Sequence, residues 1–145
     1  MPPLTTARIV GHGMTSLGKL GRSATSLMQE ALEKALGSAG LKLRDLDGLV
    51  AVPSLSDPHF MEAHYLATRV GLLPHTGVRV RTIDTGGAGP VSGLLEAVRM
   101  VRMERCQAVA VVAGDAGFNS ATGAVVSAGA SSLAEPFEPA RCAAP

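Results

Sequence analysis

The stretch that decides the fold is RVRTIDTGGAGPVSGLLEAVRMVRMERCQAVAVVAG, residues 79–114. Just ahead of it and into it, Val78, Val80 and Ile83 alternate with Arg79 and Arg81, the pattern of a strand with one face or edge less buried than its neighbours. Thr82 then leads through Asp84 into Thr85, Gly86, Gly87, Ala88 and Gly89, a glycine-rich turn, and Pro90 suits a first helical position. Residues 90–105 place Val91, Leu94, Leu95, Val98 and Val101 at helical spacing, so these five are expected to form the buried stripe. Arg99, Arg102 and Arg105 fall on the solvated side. Residues 108–113 are a continuous apolar run of strand length, expected to be buried on both faces of a parallel sheet. Strand, turn, helix and strand in this order present the turn at a strand end and a helix N-terminus, where amides and the helix dipole favour an anion, an oxyanion or a lowered-pKa nucleophile. A tight turn that requires glycine accounts for the same residues without any ligand.

Working back toward the N-terminus, Leu46 to Val52 reads as a turn into a buried strand ended by Pro53, and residues 60–70 as a helix closed by Gly71. Leu27, Met28, Ala31, Leu32, Ala35, Leu36 and Ala39 recur at helical spacing, with Gly40 as the stop. Residues 7–10 are short and apolar and precede Gly11-His12-Gly13, which reads as a first strand entering a loop. Four strands alternating with three helices give βαβαβαβ, hence an α/β fold with right-handed crossovers and a mostly parallel sheet. From Ala116 to Pro145 the composition turns to Ala, Ser, Gly and Pro without clear periodicity. The expected division is a domain over residues 1–117 and a loop-rich tail over 118–145, the start of a truncated loop region.

Composition narrows the function. Hydrophobic residues make up 46% of the 145 and aromatics only 3%, so the core must be built from small aliphatic side chains that suit close helix-on-sheet packing. Thirteen Lys and Arg balance twelve Asp and Glu, which with the lack of rings for stacking excludes nucleic acid as an expected partner. No apolar run is long enough for a membrane span, no basic region precedes an apolar run at the N-terminus, and Cys106 and Cys142 show no CxxC spacing, so a cytoplasmic protein with free thiols is expected. No metal is expected: His59 and His64 are five apart, which does not stack them on one helix face. Gly11-His12-Gly13 lacks the third glycine of a dinucleotide fingerprint and reads as turn glycine. Cys106, between a helix and a buried strand, reads as a small packing residue.

Several motifs in order resemble the N-terminal part of the thiolase superfamily, closest to thiolases of the sterol carrier and lipid-transfer type. They are Ile9-Val10-Gly11-His12-Gly13-Met14-Thr15-Ser16-Leu17-Gly18-Lys19, the helix from Leu27 to Gly40 with its return through Asp45-Leu46-Asp47-Gly48-Leu49, and Ala97-Val98-Arg99-Met100-Val101 followed by Ala108 to Gly114. The resemblance spans about residues 7–117. Thiolases carry Cys-Ala-Ser-Gly at the start of the third helix, where the thiolate takes an acyl group from CoA or a ketoacyl-CoA. Aligned through Ala97 and Gly114, those four positions fall here on Gly87, Ala88, Gly89 and Pro90; a shift of one residue puts Gly86 or Ala88 at the cysteine position instead, and none of these registers supplies a thiol. Glycine cannot form an acyl-enzyme, so the resemblance implies a chain inactive as a thiolase, with no catalytic residue at Gly87 and a CoA thioester as the ligand of the turn. It implies kinship with cysteine-less retro-aldol enzymes that act on CoA thioesters with a partner protein; a non-catalytic α/β assembly module is the alternative. It also implies a homodimer, because the strand before the nucleophile turn lies at the thiolase sheet edge, here Val78, Arg79, Val80, Arg81, Thr82 and Ile83.

Overall fold

A computed structural model describes residues 6–117. Three parallel strands, β1 (Gly48–Val52), β2 (Arg79–Thr82) and β3 (Val109–Ala113), form a sheet in the order β2-β1-β3. Helices α1 (Ala24–Ala39) and α2 (Glu62–Arg69) pack on one face, and α3 (Gly89–Met103) packs on the other. The described residues are thus α/β, with the layered, mostly parallel arrangement expected from the alternation of elements.

Local chemistry sets the element ends. The Ser23 hydroxyl accepts from the Ser26 amide at the start of α1, and Gly40, in the left-handed region with φ 68°, closes it while the Leu41 amide donates to the Leu36 carbonyl at 2.9 Å. β1 is central and buried at every position, as a strand covered on both faces must be. Its Leu49 and Ala51 join Met28, Leu32, Leu66, Leu72 and Val112 in the core under α1 and α2, and its Val50 joins Ala97, Met100 and Cys106 under α3. Asp47 ties β1 to β3 at their start, its carboxylate accepting from the amides of Gln107 and Ala108 at 2.8–3.0 Å.

Four sequence expectations are corrected. Residues 7–10 are not a strand: they pair with none of the three strands of the described sheet, and Ile9 and Val10 are exposed. The segment instead lies on α1, so closely that a Cβ on Gly11 would come 2.5 Å from the Ala35 carbonyl oxygen and one on Gly13 2.3 Å from that of Ala31. These two glycines allow close approach and have no positive φ, so the turn explanation for them also falls. Second, α2 begins at Glu62, leaving Phe60 exposed. Third, β3 is half-buried with only Val112 enclosed, because it pairs with β1 alone among the described residues. Fourth, α3 turns a different face inward. Gly89, Gly93, Ala97 and Met100 are buried, while Val91, Leu94 and Leu95 are 65%, 42% and 66% exposed. Small residues win the inner face because the helix lies against branched strand side chains: a Cβ on Gly93 would meet Val111 at 3.1 Å and Val50 at 3.4 Å.

β2 is an edge strand within the described sheet, hydrogen-bonded only to β1. Arg79 and Arg81 serve the α3 side of that edge. Arg81 pairs with Glu96 at 3.2 Å and Glu104 at 3.1 Å, Arg79 pairs with Glu104 at 3.3 Å, and Arg99 reaches both carboxylates at 2.8 and 2.7 Å. Hydrogen bonding from Arg99, opposed by partial burial and reinforced by Arg81, holds the Glu96 carboxyl below its usual range.

Candidate functional site

The carboxyl ends of the three strands meet at one end of the sheet, where open α/β sheets place ligands. Each contributes a loop. After β1 come Ser54 and Ser56, after β2 the turn at Asp84 to Gly89, and after β3 Gly114 and Asp115.

The glycine turn is a single 3-10 turn, Gly86–Ala88, running directly into α3 with Pro90 in its first turn. The Ala88 amide donates to the Thr85 carbonyl at 3.3 Å, and the Thr85 hydroxyl donates to the Ser92 hydroxyl at 3.0 Å, fastening the turn to the helix it precedes. The three glycines serve different purposes. Gly86 sits at φ 57°, which a residue with a side chain adopts only at a cost. Gly89 is buried against β1, where a Cβ would lie 2.5 Å from Val52 Cγ1. Gly87 is exposed, has no positive φ, and a Cβ there would meet nothing within 4 Å among the described residues. Neither backbone conformation nor packing therefore demands glycine at 87. Asp84 adds a negative charge beside the turn, and its carboxylate accepts from the Gly86 amide at 3.4 Å, so one donor of the turn is already engaged by an anion of the chain itself.

Asp115 organises the neighbouring loops. Its Oδ1 accepts from the Ser54 hydroxyl at 2.8 Å, the Ser56 hydroxyl, the Ser56 amide at 3.2 Å and the Ala116 amide at 2.8 Å. Partial burial pushes its carboxyl up, but the Ser56 and Ser54 hydroxyls with the two amides outweigh it and leave the group below the ordinary aspartate value. A carboxylate stabilised only in the folded chain contributes fully above the ordinary aspartate range, and that contribution is lost as pH falls through the lowered value. Wild type is accordingly expected to lose more stability than Asp115→Asn between neutral pH and about pH 2 in chemical denaturation, by less than ~1 kcal/mol because the side chain is exposed.

A cavity of about 40 Å³ lies beside Asp115, lined also by Gly18, Gly21, Arg22 and Leu27. A groove of about 450 Å³ lies between α1 and the residues 41–43 that follow it, lined by Leu32, Leu36, Leu41, Leu43 and Val70 with Gln29, Glu33 and Lys42.

The structure thus brings Thr85, Gly86, Gly87, Ala88 and Gly89 together at the start of α3, and strings Val78 to Ile83 along the edge of the sheet. Cys106 is enclosed, and burial, followed by the nearby Asp47 charge, pushes its thiol up, which suits a packing residue. Cys142 and the tail over residues 118–145 lie outside the described residues. The spacing of His59 and His64 gives no hint of Glu62, three residues after His59 at a helix start, where an acidic side chain reaches back to a preceding amide: Glu62 Oε2 accepts from the His59 amide at 3.0 Å. Thr82, which leads into the glycine turn, accepts from the Ala63 amide at 3.0 Å and so joins the end of β2 to the first turn of α2.

No family model and no curated protein matches the chain. Among solved structures it is similar to 3-oxoacyl-[acyl-carrier-protein] synthase III from Aquifex aeolicus VF5, with a TM-score of 0.58 and 19% identity over 68% of this chain and 31% of that one. It is also similar to the Ltp2-ChsH2(DUF35) aldolase, with a TM-score of 0.57 and 26% identity over 71% of this chain and 26% of that one. The chain therefore spans about a third or less of the length of the proteins it resembles. Its three-layered α/β arrangement, with the glycine turn between the edge strand and α3, is a thiolase-like fold.

Proposed function

We propose that this chain supplies the acyl-binding turn of a thiolase-fold protein that holds a CoA thioester without forming an acyl-enzyme, as part of a cysteine-less acyl-CoA aldolase working with a partner protein. The observation that carries the reading is Gly87: at the position matched to the thiolase cysteine, the chain leaves open, exposed space that no structural requirement explains. Likeness to an aldolase at 26% identity supports the same direction. Asp84 already engages the Gly86 amide, and the start of α3 can stabilise the carbonyl oxygen of a thioester. Thiolase activity is absent in this reading because no sulfur stands at the turn.

Homodimerisation through Val78 to Ile83 belongs to the proposal, supported by the unpaired outer edge of β2 within the described sheet. So does a cytoplasmic location; no described helix is long and apolar enough to cross a membrane. An assembly role without catalysis has one observation in its favour, the exposed Val91, Leu94 and Leu95 on the outer face of α3. Calorimetric titration with an acyl-CoA separates the two. Saturable heat is expected, and Gly87→Asp, which fits the open space but adds a carboxylate, is expected to weaken binding about tenfold or more. A flat wild-type titration leaves only the assembly role.

A further inference from the structure

The first turn of α2 encloses a carboxylate that no core contact requires. Glu62 is 0% exposed; Oε2 accepts from the His59 amide, while Oε1 is buried without a hydrogen-bond partner among the described residues. His59 Nδ1 is also buried without a partner and lies 3.9 Å from Glu62 Oε2. The imidazole stacks on Tyr65, with ring centroids 3.9 Å apart and planes 16° apart, and 27% of the His59 side chain reaches solvent. The enclosed ring nitrogen is Nδ1; Nε2 is not among the buried unpartnered atoms. Between the two residues Met61 adopts φ 56°, an uncommon conformation for a residue with a side chain, and keeps its own side chain 47% exposed while Glu62 goes inside. An enclosed, half-satisfied carboxylate is expensive and calls for a proton-bearing neighbour. The pair also lies at the carboxyl end of the sheet, the end that carries the glycine turn, since Thr82, at the end of β2, accepts from the amide that follows Glu62.

We propose that His59 and Glu62 form a proton-transfer dyad for the glycine turn, with Glu62 as the positioning residue that keeps a proton on Nδ1 and His59 Nε2 as the base. The separation is longer than a hydrogen bond, as such pairs often are before substrate closes the site. This rests on the CoA-thioester reading and names the group that moves the proton within it. With a β-hydroxyacyl thioester, Nε2 takes the hydroxyl proton and the oxygen electrons form the carbonyl of the leaving ketone or aldehyde. The Cα–Cβ bond breaks, its electron pair passes into the thioester enolate, and the α-carbon then takes the proton back from the imidazolium. A hydroxyacyl thioester becomes a carbonyl compound and a shortened acyl thioester, with no oxidant or reductant consumed.

Nitrogen-15 NMR of the full chain reads the dyad directly. The proton of neutral His59 is expected on Nδ1 in wild type and on Nε2 in a substantial share of Glu62→Gln molecules. In parallel, His59→Gln is expected to lower cleavage of a β-hydroxyacyl-CoA about 100-fold or more while leaving its binding within about twofold. Wild-type His59 protonated on Nε2, a tautomer indifferent to Glu62→Gln, or cleavage by His59→Gln within about twofold of wild type overturns the dyad. Absence of thioester binding overturns the CoA reading instead, and the tautomer alone then decides the dyad.

Discussion

Gly89→Ala is expected to destabilise the chain by about 1–3 kcal/mol, whereas Gly87→Ala, two residues away in the same turn, is expected to be neutral or to stabilise it by up to ~1 kcal/mol. The contrast comes from what a methyl group meets. At 89 it would sit 2.5 Å from Val52 Cγ1, on a β-branched side chain held in the buried central strand, and neither that strand nor the start of α3 can move away cheaply. The gain in helix propensity from Gly to Ala, roughly 1 kcal/mol, does not cover an overlap of that depth. At 87 the methyl points into open space from a residue without positive φ, and the main effect is reduced freedom of the unfolded chain. Urea denaturation of the two variants measures both differences. Equal effects would show that Gly87 and Gly89 serve the same structural purpose, which removes the argument for a ligand at 87.

Gly87→Cys is expected to create a reactive thiol where wild type has none. In a Cys142→Ser background the one remaining native thiol, Cys106, is enclosed and raised by burial, so iodoacetamide should label it slowly. A thiol at 87 is exposed and stands two residues before α3, where the helix dipole favours the thiolate. Labelling at least about tenfold faster than at Cys106 is expected, read by peptide mass spectrometry. Labelling no faster than at Cys106 would mean that the turn lacks the electrostatics of a nucleophile site.

The fold was legible wherever one local signal had no rival. α1 announced itself by its apolar spacing and by Gly40, which the structure places at φ 68° as its cap. β1 was legible because an unbroken apolar run ending at Pro53 suits only an enclosed strand. α3 was found as an element but turned the wrong way, since Val91, Leu94 and Leu95 keep helical spacing as faithfully as Gly89, Gly93 and Ala97 do. Hydrophobicity ranks the large residues first, but the distance between helix and sheet selects the small ones, and that distance is a tertiary quantity. Residues 7–10 misled for a related reason: their apolar run fits a strand, yet Gly11 and Gly13 let the chain lie on α1. At the candidate site the glycine turn was visible as composition, but the division of labour among its glycines was not, because φ and Cβ clearance belong to coordinates. The pairing of His59 with Glu62 was not legible, since neither residue type is informative without knowledge that the carboxylate is enclosed.

Native mass spectrometry of the full chain mixed with an acyl-CoA tests the central claim, a thioester-binding turn without a nucleophile, most directly. The expected result is a complex of protein with intact thioester that disappears on denaturation and leaves the protein mass unchanged. An added acyl mass that survives denaturation, or no complex at ligand concentrations up to about 1 mM, would contradict it.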